Sequence, residues 1–153
     1  MTDVERLAAI EAIKQAKARY FRGVDTGDGD LVRDVLAEDC VLDYMGCCTD
    51  PTTGQDFLPA MNVVMQGAAS WSSEGLRALG IVSAHHGYNF DVSFPSETTA
   101  EVVLAMTDRM FRASGDPWAR LTGHGYYHET YEKIGGRWKL KTLRISRLRV
   151  EAA

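Results

Sequence analysis

Cysteine and proline are scarce in this chain, a long apolar run is missing, and basic residues hold no excess. Cysteine occurs three times in 153 residues, as Cys40, Cys47 and Cys48, with no C-x-x-C spacing, so neither a disulfide framework nor a zinc site follows. The three read as reduced thiols. The adjacent pair leaves a redox role as the alternative, against which stands the strain of bridging neighbouring residues. No window approaches about 18 uninterrupted apolar residues, which excludes a membrane-crossing helix. The first residues carry neither a basic segment nor an apolar one of the kind a secretory signal needs, which points to a cytoplasmic chain. With 17 Lys+Arg against 21 Asp+Glu the net charge is −4, so nucleic acid and anionic membrane are not expected partners. The sequence also lacks G-x-S-x-G, a P-loop, G-x-G-x-x-G and H-E-x-x-H, the common nucleophile, nucleotide and zinc-protease motifs.

What remains is an ordinary globular composition, 45% hydrophobic and 25% charged, sized for one domain over residues 1–153. From Val4 to Val24, apolar residues recur at Leu7, Ile10, Ile13, Ala16, Tyr20, Phe21 and Val24, the spacing of one buried helical face. The run Asp25 to Asp30 ends that helix, and a short second helix follows over Leu31 to Leu36. Cys40 to Met45 reads as a strand and Cys47 to Gly54 as a loop. Phe57, Leu58, Met61, Val64, Met65, Ala68 and Ala69 recur at three and four, predicting a third helix, with a loop around Ser72 to Gly80. Beyond it the period falls to two. Strands are expected over Val82 to Phe94, Thr99 to Arg112, Ala119 to Ile134 and Arg137 to Val150. Helices followed by an antiparallel meander define an α+β domain whose helices cover one face of a curved sheet and enclose a pocket.

Several residues stand out against that pattern. Asp25 ends the first helix. His85 lies on the polar, odd-numbered face of its strand with Ser83, Gly87, Asn89 and Asp91, while His86 lies on the even face with Tyr88, Phe90 and Phe94. Either histidine could face the pocket, since a bulge at Gly87 would exchange the faces. A neutral imidazole beside Asp25 would be held in one tautomer and could take a proton near neutral pH. Asp108 interrupts the apolar stripe Val102, Leu104, Met106, Met110, where an unpaired charge is costly, so it sits at a pocket or in an ion pair. Tyr20 falls within the apolar helical face and Tyr127 on a strand, where a tyrosine is most often core with its hydroxyl satisfied at the edge. His124 and His128 share a strand face, but that spacing on a strand has no fixed metal specificity, and no metal is expected. The basic run Lys133, Arg137, Lys139, Lys141, Arg144, Arg147 and Arg149 reads as a strand that guards an edge or meets another subunit.

The order helix, short helix, strand, helix, meander resembles the SnoaL-like group of the NTF2-like (cystatin-like α+β barrel) superfamily. The segment Leu7 to Gly46, the run His85-His86-Gly87-Tyr88-Asn89 and the run Gly125 to Leu140 are similar to the hexachlorocyclohexane dehydrochlorinases. There an aspartate after the first helix and the first histidine of an H-x-G-x-N run form the catalytic dyad, which falls here on Asp25 and His85. The dehydrochlorinase lysine is replaced by Tyr20 and its arginine by Leu143, which speaks against halide elimination. A tyrosine before the aspartate and an aspartate well after the histidine resemble the bile-acid 7α-dehydratases, placing a site on Tyr20, Asp25, His85 and Asp108. The scytalone dehydratases share that logic.

The resemblance implies a lyase that works without a cofactor, removing water from a small cyclic, largely apolar hydroxylated substrate. His85 would be the base, Asp25 its orienting partner, and Tyr20 or a protonated Asp108 the group that meets carbonyl or leaving hydroxyl. Substrate-binding candidates are Asn89, Tyr127, His128, Met61, Met65, Phe90, Met106 and Met110. An isomerase with Asp108 as base, or a non-catalytic binding or assembly module, are the alternatives. Relatives assemble as trimers or dimers, so a homo-oligomer is expected, with the tryptophan-containing C-terminal hairpin as its exposed interface.

Overall fold

The first helix begins where Thr2 and Glu5 cap each other. The Glu5 backbone N–H donates to the Thr2 hydroxyl at 3.2 Å, and the Thr2 N–H donates to the Glu5 carboxylate at 2.7 Å. From there the computed structural model, which describes residues 1–153, runs α1 over Asp3–Thr26. Gly27 ends it in the left-handed conformation, φ 72°, a geometry open to glycine without Cβ strain. The buried face carries Ala9, Ile13, Ala16, Lys17, Tyr20, Phe21 and Val24. Leu7, expected on that face, is exposed, because it stands two residues before Ala9, at neither the three- nor the four-residue step of the buried stripe. Asp28 caps α2 (Gly29–Val35), its carboxylate accepting from the Leu31 N–H at 3.0 Å. β1 (Leu36–Asp43) follows directly and begins four residues before the expected Cys40.

The third helix expected over 57–69 is absent. Pro59 starts a single 3-10 turn over Pro59–Met61, β2 (Val64–Gln66) follows, and a second turn spans Ala68–Ser70. Met61, Val63 and Met65 are spaced by two as well as fitting a helical pattern, and the shorter period wins for physical reasons. Val63 and Val64 are β-branched, Gly67 sits at φ 81°, and the exposed edge of β1 offers unpaired backbone groups that β2 satisfies. After a 3-10 segment over Gly75–Leu79, the meander follows as expected: β3 (Ile81–Ser96), β4 (Thr99–Arg112), β5 (Arg120–Ile134) and β6 (Arg137–Ala152).

The six strands form one curved sheet in the order β2-β1-β6-β5-β4-β3, antiparallel throughout except for the parallel pair β1 and β6. The sheet does not close, so β2 and β3 are free edges. α1 packs across the concave face against β3 and β6. The inner residues of β4 and β5 alternate cleanly, with Ala100, Val102, Leu104, Met106, Asp108 and Met110 facing Leu121, Tyr127, Glu129 and Tyr131 in one buried layer. Trp138 is buried at 7% exposure, its ring 5.8 Å from Phe94, so the C-terminal hairpin does not present an exposed tryptophan. No helix is long and apolar enough to cross a membrane.

β3 changes faces along its length. Ser83, His85 and Gly87 point inward, but Asn89 adopts φ 55° and the pairing with β4 slips between Tyr88 and Asp91. Past that bulge the even residues Phe90, Val92 and Phe94 pack on the core. The odd face therefore belongs to the cavity and the even face to the core, each for half a strand.

Candidate active site

Between α1, the segment 61–76 and the inner face of the sheet lies a cavity of about 160 Å³, with 12 hydrophobic residues among its 17 lining residues. Its apolar wall is made by Val24, Met61, Val63, Met65, Trp71, Leu76, Met110 and Ile145. The polar groups that reach it are few: Tyr20, Tyr44, Ser72, His85, Asp108, Tyr127 and Arg147, with the Cys47 thiol beside them. An apolar space with a small number of convergent polar groups is the general form of a small-molecule site.

Asp25 stands behind His85, on the last turn of α1. Its Oδ1 contacts His85 Nδ1 at 2.5 Å and accepts from the Ser83 hydroxyl at 2.8 Å, while Oδ2 accepts from the His85 backbone N–H at 2.9 Å. A carboxylate partner requires Nδ1 to carry the proton, so the neutral ring has its lone pair on Nε2. Burial opposes ionisation of Asp25, but the His85 ring and backbone and the Ser83 hydroxyl outweigh it and hold its carboxyl below the ordinary value. Phe21 lies against the imidazole with ring planes 9° apart and centroids at 5.6 Å. Phe21 reaches that position because residue 87 is glycine: a Cβ there would come within 2.7 Å of the Phe21 ring.

Asp108 sits directly opposite His85 in the β3–β4 register, with Oδ2 at 3.9 Å from Nε2. It is not a free acid. Arg147 binds it through both nitrogens, Nη1 to Oδ1 at 3.1 Å and Nη2 to Oδ2 at 2.8 Å, and both side chains are only 4% exposed. The expectation that a protonated Asp108 donates to substrate is thereby overturned, since both oxygens are occupied by guanidinium donors. Arg147 further donates from Nε to the Cys47 carbonyl at 2.6 Å and from Nη1 to Met106 Sδ at 3.1 Å. Burial opposes its charge, yet the Asp108 carboxylate more than offsets this and raises its pKa.

This ion pair crosses β5. Asp108 is on β4 and Arg147 on β6, and the residue between them is Gly123, where a Cβ would lie 2.3 Å from Asp108 Oδ1 and 2.4 Å from Arg147 Nη1. A glycine in the middle of a central strand weakens it, and here close approach of two charged side chains gives the reason.

On the far wall the Tyr20 and Tyr44 hydroxyls meet at 2.5 Å. Burial raises the pKa of both phenols and of Tyr127, so all three are neutral O–H groups near neutral pH. Two hydroxyls joined by one hydrogen bond leave one O–H free to donate. Beneath them lies a buried ion pair of Lys17 with Glu129, which also accepts from the Tyr131 hydroxyl at 2.8 Å. The Lys17 ammonium lies 3.5 Å from the Tyr127 ring centroid and 4.3 Å from that of Tyr20, a cation on the faces of two cavity-lining rings.

Of the residues singled out in the sequence, the fold gathers Tyr20, His85, Asp108, Met61, Met65, Met110 and Tyr127 on the cavity, with Asp25 immediately behind. Four others lie off it. Asn89 is exposed on the β3 bulge, and Phe90 turns into the core beyond that bulge. Met106 is buried under the Arg147 guanidinium. His128 is on the outer sheet face, its Nε2 2.8 Å from Ser146 Oγ. His124 is also on that face, beside Thr107, and no group of three or more His, Cys, Asp and Glu side chains is arranged to hold a metal ion.

Arg147, Tyr44 and Gly123 were missed. Arg147 follows Leu143 and Ile145 at two-residue steps, the same interruption of an inward stripe that marked Asp108, and it was concealed within a basic run.

A curved, unclosed sheet with helices laid across its concave face and a polar cluster in the cavity between them is the NTF2-like α+β architecture. The SnoaL-like domain family matches residues 5–144, and the chain belongs to that family. Among solved structures, it is similar to a Novosphingobium aromaticivorans DSM 12444 protein provisionally named a scytalone dehydratase, with a TM-score of 0.79 and 20% identity over 99% of this chain and 92% of that one. It is similar to the type-3 hexachlorocyclohexane dehydrochlorinase of Novosphingobium barchaimii LL02, with a TM-score of 0.76 and 17% identity over 99% and 94%. A third, from Novosphingobium aromaticivorans and provisionally named an aromatic ring hydroxylase, gives 0.75 and 20% over 96% and 94%. At these identities the likeness shows the fold, and the names attached to that fold span different chemistries.

Proposed function

We propose that this SnoaL-like protein is a lyase that needs no cofactor and removes water from a small cyclic, largely apolar hydroxylated substrate. The observation that carries the reading is the Asp25–His85 pair, which is fixed at both ring and backbone and leaves Nε2 as the basic nitrogen at an apolar cavity. A cavity of about 160 Å³ is matched to one six-membered ring, since an apolar cavity of about 150 Å³ binds benzene.

In this mechanism Nε2 takes a proton from the carbon next to the one bearing the hydroxyl. The C–H electron pair becomes the new double bond and the C–O bond breaks. The departing hydroxide takes the proton back from the imidazolium and leaves as water, so His85 is regenerated without any other reactant. Asp25 at Nδ1 and Asp108 at 3.9 Å from Nε2 stabilise the imidazolium while it exists. The free O–H of the Tyr20–Tyr44 pair donates to a substrate oxygen that gains charge. Arg147 keeps Asp108 from acting as a competing base and offsets its charge.

The test is turnover of a panel of hydroxylated cyclic ketones and alcohols followed by product mass. Loss of water that disappears in His85→Gln supports the reading. An unchanged product mass would identify an isomerase, and binding without turnover across the panel would identify a binding module.

A further inference from the structure

The cavity wall contains a feature that the elimination does not use. Two successive turns follow β1, in which the Cys47 N–H donates to the Tyr44 carbonyl at 3.1 Å and the Thr49 N–H to the Gly46 carbonyl at 3.0 Å. They bring the Cys47 and Cys48 sulfurs to 3.7 Å from each other. Both side chains are buried, but Cys47 lines the cavity and Cys48 does not. Cys47 also supplies the carbonyl that holds Arg147 Nε. Cys40 is buried on β1 without a sulfur partner.

We propose that Cys47 and Cys48 form an oxidisable dithiol reached through the cavity, which a small hydroperoxide converts to a vicinal disulfide. The Cys47 thiolate attacks the terminal oxygen of the hydroperoxide and the O–O bond breaks. The alkoxide or hydroxide released takes up the thiol proton, leaving a sulfenic acid on Cys47. Cys48 sulfur then attacks that sulfur, the S–O bond breaks, and hydroxide leaves as water with the Cys48 proton. Two thiols lose two electrons, and the hydroperoxide is reduced to an alcohol or water.

The order of attack follows from position. Only Cys47 faces the cavity by which a small oxidant enters. The hydrogen bond to Cys47, together with burial, pushes the Cys48 thiol up, so Cys48 keeps its proton beside the Cys47 sulfur. That is an attacking thiol with a resolving partner already in place.

Reversal is built in. Neighbouring Cα atoms are about 3.8 Å apart, closer than the ~4.4–6.8 Å of ordinary disulfides, so the bridge is strained and easily reduced. Its closure brings the sulfurs from 3.7 Å to about 2.05 Å, next to the Cys47 carbonyl that anchors Arg147 Nε.

The experiment treats the folded full-length protein with hydrogen peroxide, denatures it in N-ethylmaleimide, and reads intact and peptide mass, with no need for a substrate. The expected product is lighter by about 2 Da before alkylation, with Cys47 and Cys48 joined in one peptide and only Cys40 alkylated. Dithiothreitol restores all three thiols. In Cys48→Ser, or Cys48→Ala should serine disturb the packing, oxidation stops at a Cys47 sulfenic acid that dimedone traps. The proposal is overturned if all three thiols remain alkylatable, if the bridge involves Cys40 or a second chain, or if Cys47 gains oxygen while Cys48 stays free in the wild-type protein.

Discussion

One carboxylate of Asp25 grips His85 twice, through Oδ1 at the ring nitrogen and Oδ2 at the backbone N–H, across 60 residues of sequence. The backbone bond fixes where β3 starts relative to α1, and the ring bond fixes the tautomer. Position and tautomer of the imidazole are therefore both set by one side chain.

The proposed elimination depends on the Nε2 lone pair of His85 and on the Asp25 carboxylate that fixes its tautomer. His85→Gln and Asp25→Asn are each expected to lower kcat by roughly 10²–10⁴-fold on any substrate that loses water, with substrate affinity changed far less. Steady-state kinetics on the purified variants checks this, and unchanged turnover in His85→Gln would remove His85 from the chemistry.

Asp25 also makes stability depend on acid. Its folded pKa lies below the unfolded value of about 3.9, because burial is outweighed by its bonds to His85 and Ser83. The ionised carboxylate thus stabilises the fold above about pH 4, and the contribution is lost as pH falls through the folded value. Urea unfolding should show the gap between wild type and Asp25→Asn narrowing from about pH 6 to about pH 3. A gap independent of pH would contradict this linkage.

The ion pair over β5 should behave as a buried pair. Arg147→Met leaves Asp108 buried without a partner and is expected to cost about 3–5 kcal/mol. The double variant Asp108→Asn/Arg147→Met should be less destabilised than Arg147→Met alone. Urea unfolding of wild type, Asp108→Asn, Arg147→Met and the double variant closes the cycle, and additive losses would show the two residues to be uncoupled.

Gly123→Ala tests why a central strand carries glycine there. The new methyl meets Asp108 Oδ1 and Arg147 Nη1 well inside contact distance, so the pair must separate. A loss of about 1–3 kcal/mol is expected with β-sheet circular dichroism retained. Turnover should fall further than stability, since Asp108 faces His85.

The sequence carried the outline of the site and hid its second charge. Period-two patterning gave the four long strands, and the break that Asp108 makes in an apolar stripe marked it as paired or pocket-facing. Asp25 and His85 came from resemblance joined to alternation, because neither residue alone distinguishes a turn or a surface from a site. Segment 57–69 was misread because Met61 and Met65 fit spacings of both two and four, and only the free edge of β1 decides between them. Arg147 lay in a basic run whose other members, such as Arg149 and Lys141, do meet solvent. Its inward direction follows from the two-residue step through Leu143, Ile145 and Arg147, an unbroken stretch between the β5–β6 slips at Thr130/Tyr131 and His124/Gly125, but the basic neighbours on either side masked it.

The bulge at Asn89 divides labour within a single strand. Before it, alternate residues answer to the cavity, and after it, the opposite set answers to the packed core. Substitutions that retune the chemistry at positions 83 to 87 therefore need not disturb the interdigitation of Phe90, Val92 and Phe94, and repacking those three need not move the imidazole. A strand partitioned in this way lets the cavity lining vary while the packed core that carries the stability stays as it is.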